Sequence, residues 1–204
     1  MNPKTIVAQC IYAINSAYWR RRFTHYGSVG SGLAVSGRMS FQPTAGSTLS
    51  IGNGVIFNSI SSRNTLIAGG ECSVKLLSRD ATLRIGNHTG ITSAAISVAA
   101  NVAIGDRVLI GAGVIVTDSD HHFVDIEPMQ RRHAGFPAAA DRDSVTIGND
   151  AFIGARSIIL KGADIGSGSV VGAGSVVASA IPPNVVAAGN PCRVIRKLRL
   201  GDLS

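Results

Sequence analysis

Aliphatic residues recur at every sixth position in two long runs of this sequence. The downstream run comprises Ile147, Ile153, Ile159, Ile165, Val171 and Val177. The upstream run comprises Val98, Ile104, Ile110 and Val116. Glycine follows six of these ten residues, as Gly148 follows Ile147. A period of six fits neither an amphipathic helix, whose apolar residues recur every three or four positions, nor a single alternating strand.

The six-residue period predicts an all-β fold, a parallel β-helix. Each short strand would send one aliphatic residue inward, and a glycine would let the chain turn a corner. Three faces, of one hexad each, would make a triangular coil, and neighbouring coils would stack through backbone hydrogen bonds. The 24 glycines and the low aromatic content, 5%, agree with so narrow an interior. A β-sandwich fits poorly, because its strands alternate and vary in length.

The period is less regular upstream. Ile85 and Ile91 extend it, but the step from Ile91 to Val98 is one position longer than a hexad, which predicts a one-residue bulge. Ile51 with Gly52 is an early copy. The repeat therefore weakens toward the N-terminus.

The period is absent between the two runs. This gap predicts an excursion loop over residues 117–146, and long irregular loops often carry function. We divide the chain into an N-terminal helix and lead-in, residues 1–45, and a β-helix domain, residues 46–204. The domain would end in a C-terminal cap, residues 181–204.

The N-terminal segment predicts an amphipathic helix. Its apolar residues at helical spacing are Val7, Ile11, Ile14 and Tyr18. Arg20–Arg22 follow them, and polar residues interrupt the apolar run, which is too short for a transmembrane helix. We expect the helix to pack on the β-helix. A weak peripheral contact with an anionic membrane is the alternative.

The charge and the cysteines narrow the class of protein. A formal net charge of +7 favours an anionic partner, although charge alone does not separate nucleic acid, a membrane surface and a phosphorylated cofactor. Cys10, Cys72 and Cys192 are scattered and have no metal-ligand spacing. They predict no disulfide framework and indicate a reducing cytoplasm.

The repeat and the closing segment "IPPNVVAAGNPCRVIRKL", which begins at Ile181, resemble the hexapeptide-repeat acyltransferases. The segment is similar to the C-terminal cap of galactoside, maltose and polysaccharide O-acetyltransferases. The resemblance covers about Ile51 to Leu198. It implies left-handed coils, a homotrimer with active sites between subunits, acetyl coenzyme A as co-substrate, a saccharide acceptor and no nucleic-acid partner.

The loop begins with "TDSDHHFVD", residues 117–125, which resembles the D-x-D-x-H version of exopolysaccharide O-acetyltransferases. The resemblance places His122 on the position of the catalytic base, and His121 is the alternative. A neutral imidazole suits this task, because a sugar hydroxyl needs a base that takes its proton as it attacks a thioester. Asp118 or Asp120 could orient the imidazole, or both could only form the turn.

A metal site is the rival interpretation of the histidines. Gamma-class carbonic anhydrases share this repeat and bind a metal through three histidines, two of them close together in sequence. His88, His121, His122 and His133 do not reproduce that spacing. We therefore expect no metal.

The donor site would lie on the C-terminal coils. Ala155 and Ala173 are one predicted coil apart and align with family positions that contact the pantetheine arm. Arg193 and Arg196 align with basic residues that meet the phosphates, a role that suits guanidinium. Phe152 stands where the family often has tryptophan. Ala178 and Ser179 replace a frequent threonine–lysine pair, which puts one phosphate contact in doubt.

The acceptor is less defined. Ser93 precedes Gly111 by three hexads, which suggests a place one coil earlier beside the loop. Arg131 and Arg132 could bind an anionic or nucleotide-linked sugar. The sequence favours an acetyltransferase acting on a saccharide of capsule, exopolysaccharide or O-antigen synthesis. The alternatives are a small acceptor such as an antibiotic or amino sugar, and a non-catalytic β-helix scaffold.

Overall fold

A computed structural model describes residues 3–60, 70–124, 131, 135, 137, 138 and 140–198. One helix, α1 (Pro3–Thr24), precedes a series of short strands. The strands before the loop are β1 (Gly27–Val29), β2 (Ala34–Ser36), β3 (Met39–Gln42), β4 (Thr48–Ile51), β5 (Ile56–Asn58), β6 (Cys72–Leu76), β7 (Thr82–Ile85), β8 (Gly90–Thr92), β9 (Ala95–Val98), β10 (Asn101–Ile104), β11 (Leu109–Ile110) and β12 (Ile115–Thr117). A short 3-10 helix, Asp141–Asp143, precedes β13 (Val145–Ile147), β14 (Phe152–Ile153), β15 (Ile158–Ile159), β16 (Asp164–Ile165), β17 (Val170–Val171), β18 (Val176–Val177), β19 (Val185–Ala188) and β20 (Arg193–Lys197).

Every third strand joins the same sheet, which gives the coil three faces. Sheet A has the order β1-β4-β7-β10-β13-β16, and sheet C has the order β3-β6-β9-β12-β15-β18. Sheet B has the order β2-β5-β8-β11-β14-β17-β19-β20. All neighbours are parallel except β19 and β20, which are antiparallel and form the cap. The predicted fold class, an all-β parallel β-helix with an N-terminal helix and a C-terminal cap, is confirmed.

The β-helix begins at Gly27 rather than at residue 46. The strands β1, β2 and β3 pair in parallel with β4, β5 and β6, as Gly27 does with Leu49 and Met39 with Cys72. Because Gly27 pairs with Leu49, this first coil is longer than three hexads. It stacks on the next coil as the others do, although its sequence does not show the six-residue period. The sequence boundary therefore fell one coil too late.

The interior contains two columns per face, where the sequence suggested one inward residue per strand. Ile104 and Val102 are both buried, because alternate residues of a strand point to the same side. In the downstream coils after Val145 the second column consists of small residues, such as Ala163 before Ile165. Ser169 is also in this column, and its hydroxyl donates to Pro182 O (2.6 Å) and accepts from Val185 N (3.2 Å). Small side chains, whose hydroxyl groups are hydrogen-bonded to backbone atoms of the coil, thus keep the coil narrow.

Glycine after the inward aliphatic residue is required by the stacking distance. A Cβ on Gly166 would lie 2.4 Å from Pro183 N, and one on Gly154 would lie 2.5 Å from Ala173 N. Both contacts are with backbone atoms, which cannot move aside. The repeated glycine therefore reflects the close approach of adjacent coils.

The helix α1 packs on the first coils through its C-terminal half. Trp19 and Phe23 are buried, and Phe23 makes an edge-on contact with Phe41 at 5.0 Å between ring centroids. Asn15 Nδ2 donates to Val35 O (2.8 Å) and to Gly37 O (2.9 Å). The predicted packing is correct, but the predicted face is not.

The residues expected to face the coil instead face outward. Ile11, Ile14 and Tyr18 are 62%, 71% and 55% exposed. The two aromatic residues on the other side bury more area, so they decide the orientation. The side chain of Val7 lies outside the described residues. Over the ranges that the structure describes, no helix combines the length and the apolar character that spanning a bilayer requires.

Candidate active site

One position of the repeat, the second residue after each inward aliphatic residue, lies at the corner between two sheets. We name the three corners A–B, B–C and C–A after the sheets that they join. Five of the predicted site residues occupy this position: Ser93, Asp118, Ala155, Ala173 and Ser179. The residue type at this position determines whether a side chain accepts hydrogen bonds from the backbone amides of that corner.

The A–B corner carries a ladder of amide and carboxylate side chains. Each accepts a hydrogen bond through Oδ1 from a backbone amide of the preceding coil, at 2.6 to 2.9 Å. The ladder comprises Asn53, Asn87, Asp106 and Asn149, which accept from the amides of Ser31, Asn53, Asn87 and Asp106. This corner is therefore closed by its own side chains.

The B–C corner is bare. Ala112, Ala155 and Ala173 follow one another there on successive coils, as shown by Arg156 N donating to Ala112 O (2.9 Å) and Gly174 N to Ala155 O (2.9 Å). Within the described residues the amides of these three alanines have no acceptor. Ala112 is buried, whereas Ala155 is partly exposed and Ala173 is exposed, so the corner combines a shallow surface with unused backbone donors at these last two alanines. Ala155 and Ala173 are one coil apart, as the sequence suggested.

Aromatic and cationic side chains flank this bare corner. Phe152 lies in β14, pairs with Leu109 of β11 and is 45% exposed. Arg193 and Arg196 lie on the exposed strand β20, and neither has an acidic partner within the described residues. Ser179 is exposed just after β18.

The C–A corner is closed by Asp118. Its side chain is fully buried, and its carboxylate accepts three backbone hydrogen bonds, from Ala99 N (2.6 Å), Ala100 N (2.8 Å) and Asn101 N (2.8 Å). Asp118 follows β12 directly, so these bonds fix the point at which the loop leaves the coil. Both oxygens are thereby used in the turn.

Asp120 pairs with a lysine that the sequence interpretation missed. Lys161 Nζ contacts Asp120 Oδ2 and lies 3.9 Å from Asp143 Oδ1. The hydrogen bond to Asp120 raises the pKa of Lys161, and the charges of both carboxylates act in the same direction. Val116 pairs with Ile159, so Lys161 is at the corner position one coil after Asp118. The sequence alone does not show this strand register across the loop, so it did not reveal that Lys161 lies next to Asp120.

The two adjacent histidines, His121 and His122, have different surroundings in the structure. His121 has a positive φ of 59°, its amide donates to Ser119 Oγ (3.0 Å), and its Nε2 lies 3.3 Å from Thr117 Oγ1. His122 is exposed and lines a cavity of 280 Å³. The ion pair of Asp120 and Lys161 lines the same cavity.

A larger cavity of 950 Å³ lies on the other side of Pro137 and Ala138, which line both. Its remaining walls come from sheet A, the C–A corner and the returning loop. Its charged lining residues are Asp80, Arg84 and Asp141. Sequence reasoning did not find this cavity, because its walls come together only after the coils stack.

The other predicted acceptor residues are dispersed. Ser93 is 5% exposed at the B–C corner, and because Ile91 pairs with Ile110 it aligns with Ala112 rather than with Gly111; its carbonyl accepts from Gly113 N (3.0 Å). The coil is longer than three hexads here, since Ala95 pairs with Ile115. Arg131 is exposed, and Arg132 lies outside the described residues.

In the part of the chain that the structure describes, no three His, Cys, Asp or Glu side chains are grouped as metal ligands would be. His133 lies outside that part. His88 is on the A–B edge of the coil beside the ladder, where its amide donates to Asn53 O (2.7 Å).

Comparisons with known proteins place the coils in a defined class. Residues 144–179 match the model "Bacterial transferase hexapeptide (six repeats)", and residues 83–118 match "Hexapeptide repeat of succinyl-transferase". These matches confirm the resemblance to the hexapeptide-repeat acyltransferases.

Particular relatives are acetyltransferases. The galactoside O-acetyltransferase of Escherichia coli (strain K12) is 44% identical over 101 residues, which are 50% of this chain and 46% of the relative. The chain spans about half the length of the curated relatives that it matches.

Two solved structures support the same assignment of fold. A hexapeptide-repeat-containing acetyltransferase from Vibrio cholerae, solved with acetyl coenzyme A, is 35% identical with a TM-score of 0.51 and covers 57% of this chain and 61% of its own. A galactoside acetyltransferase in complex with coenzyme A is 31% identical with a TM-score of 0.50 and covers 78% of this chain and 65% of its own.

Proposed function

We propose that this protein transfers the acetyl group of acetyl coenzyme A to a hydroxyl of a saccharide, with His122 as the general base. One observation carries the proposal: His122 lines a cavity at the point where the loop leaves β12, next to coils that match acetyltransferase repeats. We further propose that the saccharide belongs to capsule, exopolysaccharide or O-antigen synthesis in the cytoplasm.

The proposed chemistry needs one base and one route for the proton. The imidazole of His122 takes the proton of the acceptor hydroxyl while the hydroxyl oxygen bonds to the thioester carbonyl carbon. Collapse of the tetrahedral intermediate breaks the carbon–sulfur bond, and the imidazolium returns the proton to the departing thiolate. Asp118 and Lys161 support this step indirectly, because they fix the loop start and hold Asp120 at the cavity.

The donor fits the bare B–C corner. A pantetheine arm carries amide carbonyls, and the unused amides of Ala155 and Ala173 would donate to them. Larger side chains would occupy this surface, so alanine is suited to it. Phe152 would contact the arm, and Arg193 and Arg196 would meet the phosphates through charge-assisted hydrogen bonds. Ser179 provides a neutral hydroxyl near this end.

A homotrimer would complete the site. The outer face of sheet B differs from that of sheet A in a way that is suited to contact with a second copy of the chain. Outward residues of sheet B form an apolar row of Ile56, Leu109, Phe152 and Val170. Outward residues of sheet A are polar or small: Ser28, Ser50, Arg84, Ala103, Thr146 and Asp164. An apolar row next to the donor corner is suited to a second copy of the chain.

The acceptor would approach through the larger cavity, whose charged and hydroxyl-bearing walls suit a saccharide better than an apolar ligand. Ser93 and Arg131 would contribute only at a distance from its centre, since neither lines it.

The test is release of coenzyme A from acetyl coenzyme A in the presence of a panel of saccharides, amino sugars and antibiotics. We expect turnover with a saccharide, and we expect His122→Ala to lower kcat by about 10²- to 10⁴-fold. His121→Ala is the matched control and should retain most of the rate. Turnover confined to small acceptors, or an active His122→Ala variant, would overturn the proposal in its present form.

A further inference from the structure

The outward face of α1 is an apolar surface with a cationic border. Ile11, Ile14 and Tyr18 follow one another at intervals of three and four positions, which places them on one side of the helix. They are 62%, 71% and 55% exposed. Large aliphatic side chains this exposed on one helix face are typical of a surface that meets another phase or partner.

The helix is held so that this face stays outward. Its opposite side is fixed by the buried Trp19 and Phe23. Polar contacts add to this attachment, since Asn15 donates to Val35 O and Ser16 Oγ accepts from Val35 N (3.0 Å). Rotation that would bury Ile11 and Ile14 would break these contacts. The exposed face is therefore a fixed feature of the folded chain.

The charges of α1 itself have one sign, and Glu71, the first acidic residue of the sequence, is paired with Arg38 (3.0 Å). All 12 acidic residues lie at or after Glu71. The sequence before Glu71 carries only basic charges, at Lys4, Arg20, Arg21, Arg22, Arg38 and Arg63. Arg21 and His25 line a cavity together with Tyr18 at the C-terminal end of the face. An anionic partner complements such a surface.

We propose that α1 docks the protein on an anionic membrane surface, lying in the interface with Ile11, Ile14 and Tyr18 toward the acyl chains. Tyrosine favours the headgroup level, and the guanidinium group of Arg21 meets the lipid phosphates. Symmetric pairing with α1 of a second copy fits less well, because α1 carries no acidic residue that could offset the basic residues of the other copy.

The experiment is co-sedimentation of the full chain with vesicles of phosphatidylcholine, with and without phosphatidylglycerol. We expect binding only when phosphatidylglycerol is present, and weaker binding at high salt. The double variant Ile11→Ser/Ile14→Ser should bind at least about tenfold more weakly, since two apolar side chains no longer leave water. Arg21→Gln should weaken binding by about fivefold.

The matched control is Ile195→Ser, which removes an isoleucine of similar exposure, 65%, from the opposite end of the chain and should bind vesicles normally. Absence of binding to the anionic vesicles would overturn the proposal. It would also be overturned if the double variant bound normally, or if that variant lowered the particle mass in light scattering, which would show that a second copy covers α1. None of these results depends on acetyl transfer.

Discussion

The A–B and B–C corners occupy the same position of the repeat but treat their backbone in opposite ways. At the A–B corner Asn87 and Asp106 accept the amides of the preceding coil, so the surface is closed. At the B–C corner Ala155 and Ala173 leave those amides without an acceptor among the described residues. The contrast shows that one substitution at a fixed position converts a structural corner into a candidate binding groove.

Removing the carboxylate of the third corner should have the largest effect. Asp118→Ala leaves three backbone amides without their acceptor, so we expect a loss of about 3 kcal/mol in the free energy of unfolding. Urea denaturation followed by circular dichroism measures it. Asp118→Asn retains one oxygen and should recover part of the loss. Equal stability of Asp118→Ala and the native chain would show that this corner does not depend on its carboxylate.

Closing the B–C corner should impair the donor site without impairing the fold. In Ala155→Asn/Ala173→Asn, each new side chain oxygen can accept the amide of the preceding coil, as in the A–B ladder. We expect the KM for acetyl coenzyme A to rise by about 100-fold, which is about 2.7 kcal/mol. Steady-state kinetics and a thermal melt check both parts.

The control for that double variant is Ser167→Asn, which places one asparagine at the same repeat position of the A–B corner. There it would extend an existing ladder beyond Asn149, so activity should not change. If both variants lost activity equally, the comparison between the corners would fail.

Opening the A–B ladder should have a smaller effect. Asn87→Ala leaves the amide of Asn53 without its acceptor at a partly exposed site, and we expect a loss of about 1 kcal/mol in unfolding free energy. The KM for acetyl coenzyme A should not move. A rise in KM would place this corner in the donor site.

The smallest effect concerns Lys161. Asp120 raises the pKa of Lys161, so the pair contributes stability below the ordinary lysine pKa, and this contribution is lost as the pH rises through the raised value. Because the side chains of Lys161 and Asp120 are 41% and 33% exposed, water screens the pair, and Lys161→Met should cost less than about 1 kcal/mol at neutral pH. The difference from the native chain should vanish at strongly alkaline pH, as thermal melts across pH would show.

The coil was predictable from the sequence because its inward column is uniformly aliphatic, as at Ile147 and Ile153. The second column was missed because it mixes aliphatic, small and hydroxyl residues, such as Val145, Ala151 and Ser157, and so has no hydrophobic period. The first coil was missed because its register, Gly27 with Leu49, is not a multiple of the hexad.

The candidate site was only partly predictable for a similar reason. The loop start and the alanine column lie within a regular local pattern. Lys161 comes next to Asp120 only when the coils close across the loop, and local sequence does not determine that register. The helix α1 has two apolar sides, one with Trp19 and Phe23 and one with Ile11 and Ile14. Composition does not determine which of the two packs on the coil and which faces outward.

Stacking of equivalent coils does not by itself limit the number of coils, because each new coil presents the same strand edges as the one before it. Here the two ends are closed by unlike elements. At one end Phe23 of α1 packs on Phe41 and Phe57 and plugs the first coil. At the other, β20 runs against β19 and ends the parallel pairing of sheet B. In the part of the chain that the structure describes, the cap does not repeat the edge of the preceding coils, so addition of a further parallel coil to sheet B is interrupted there.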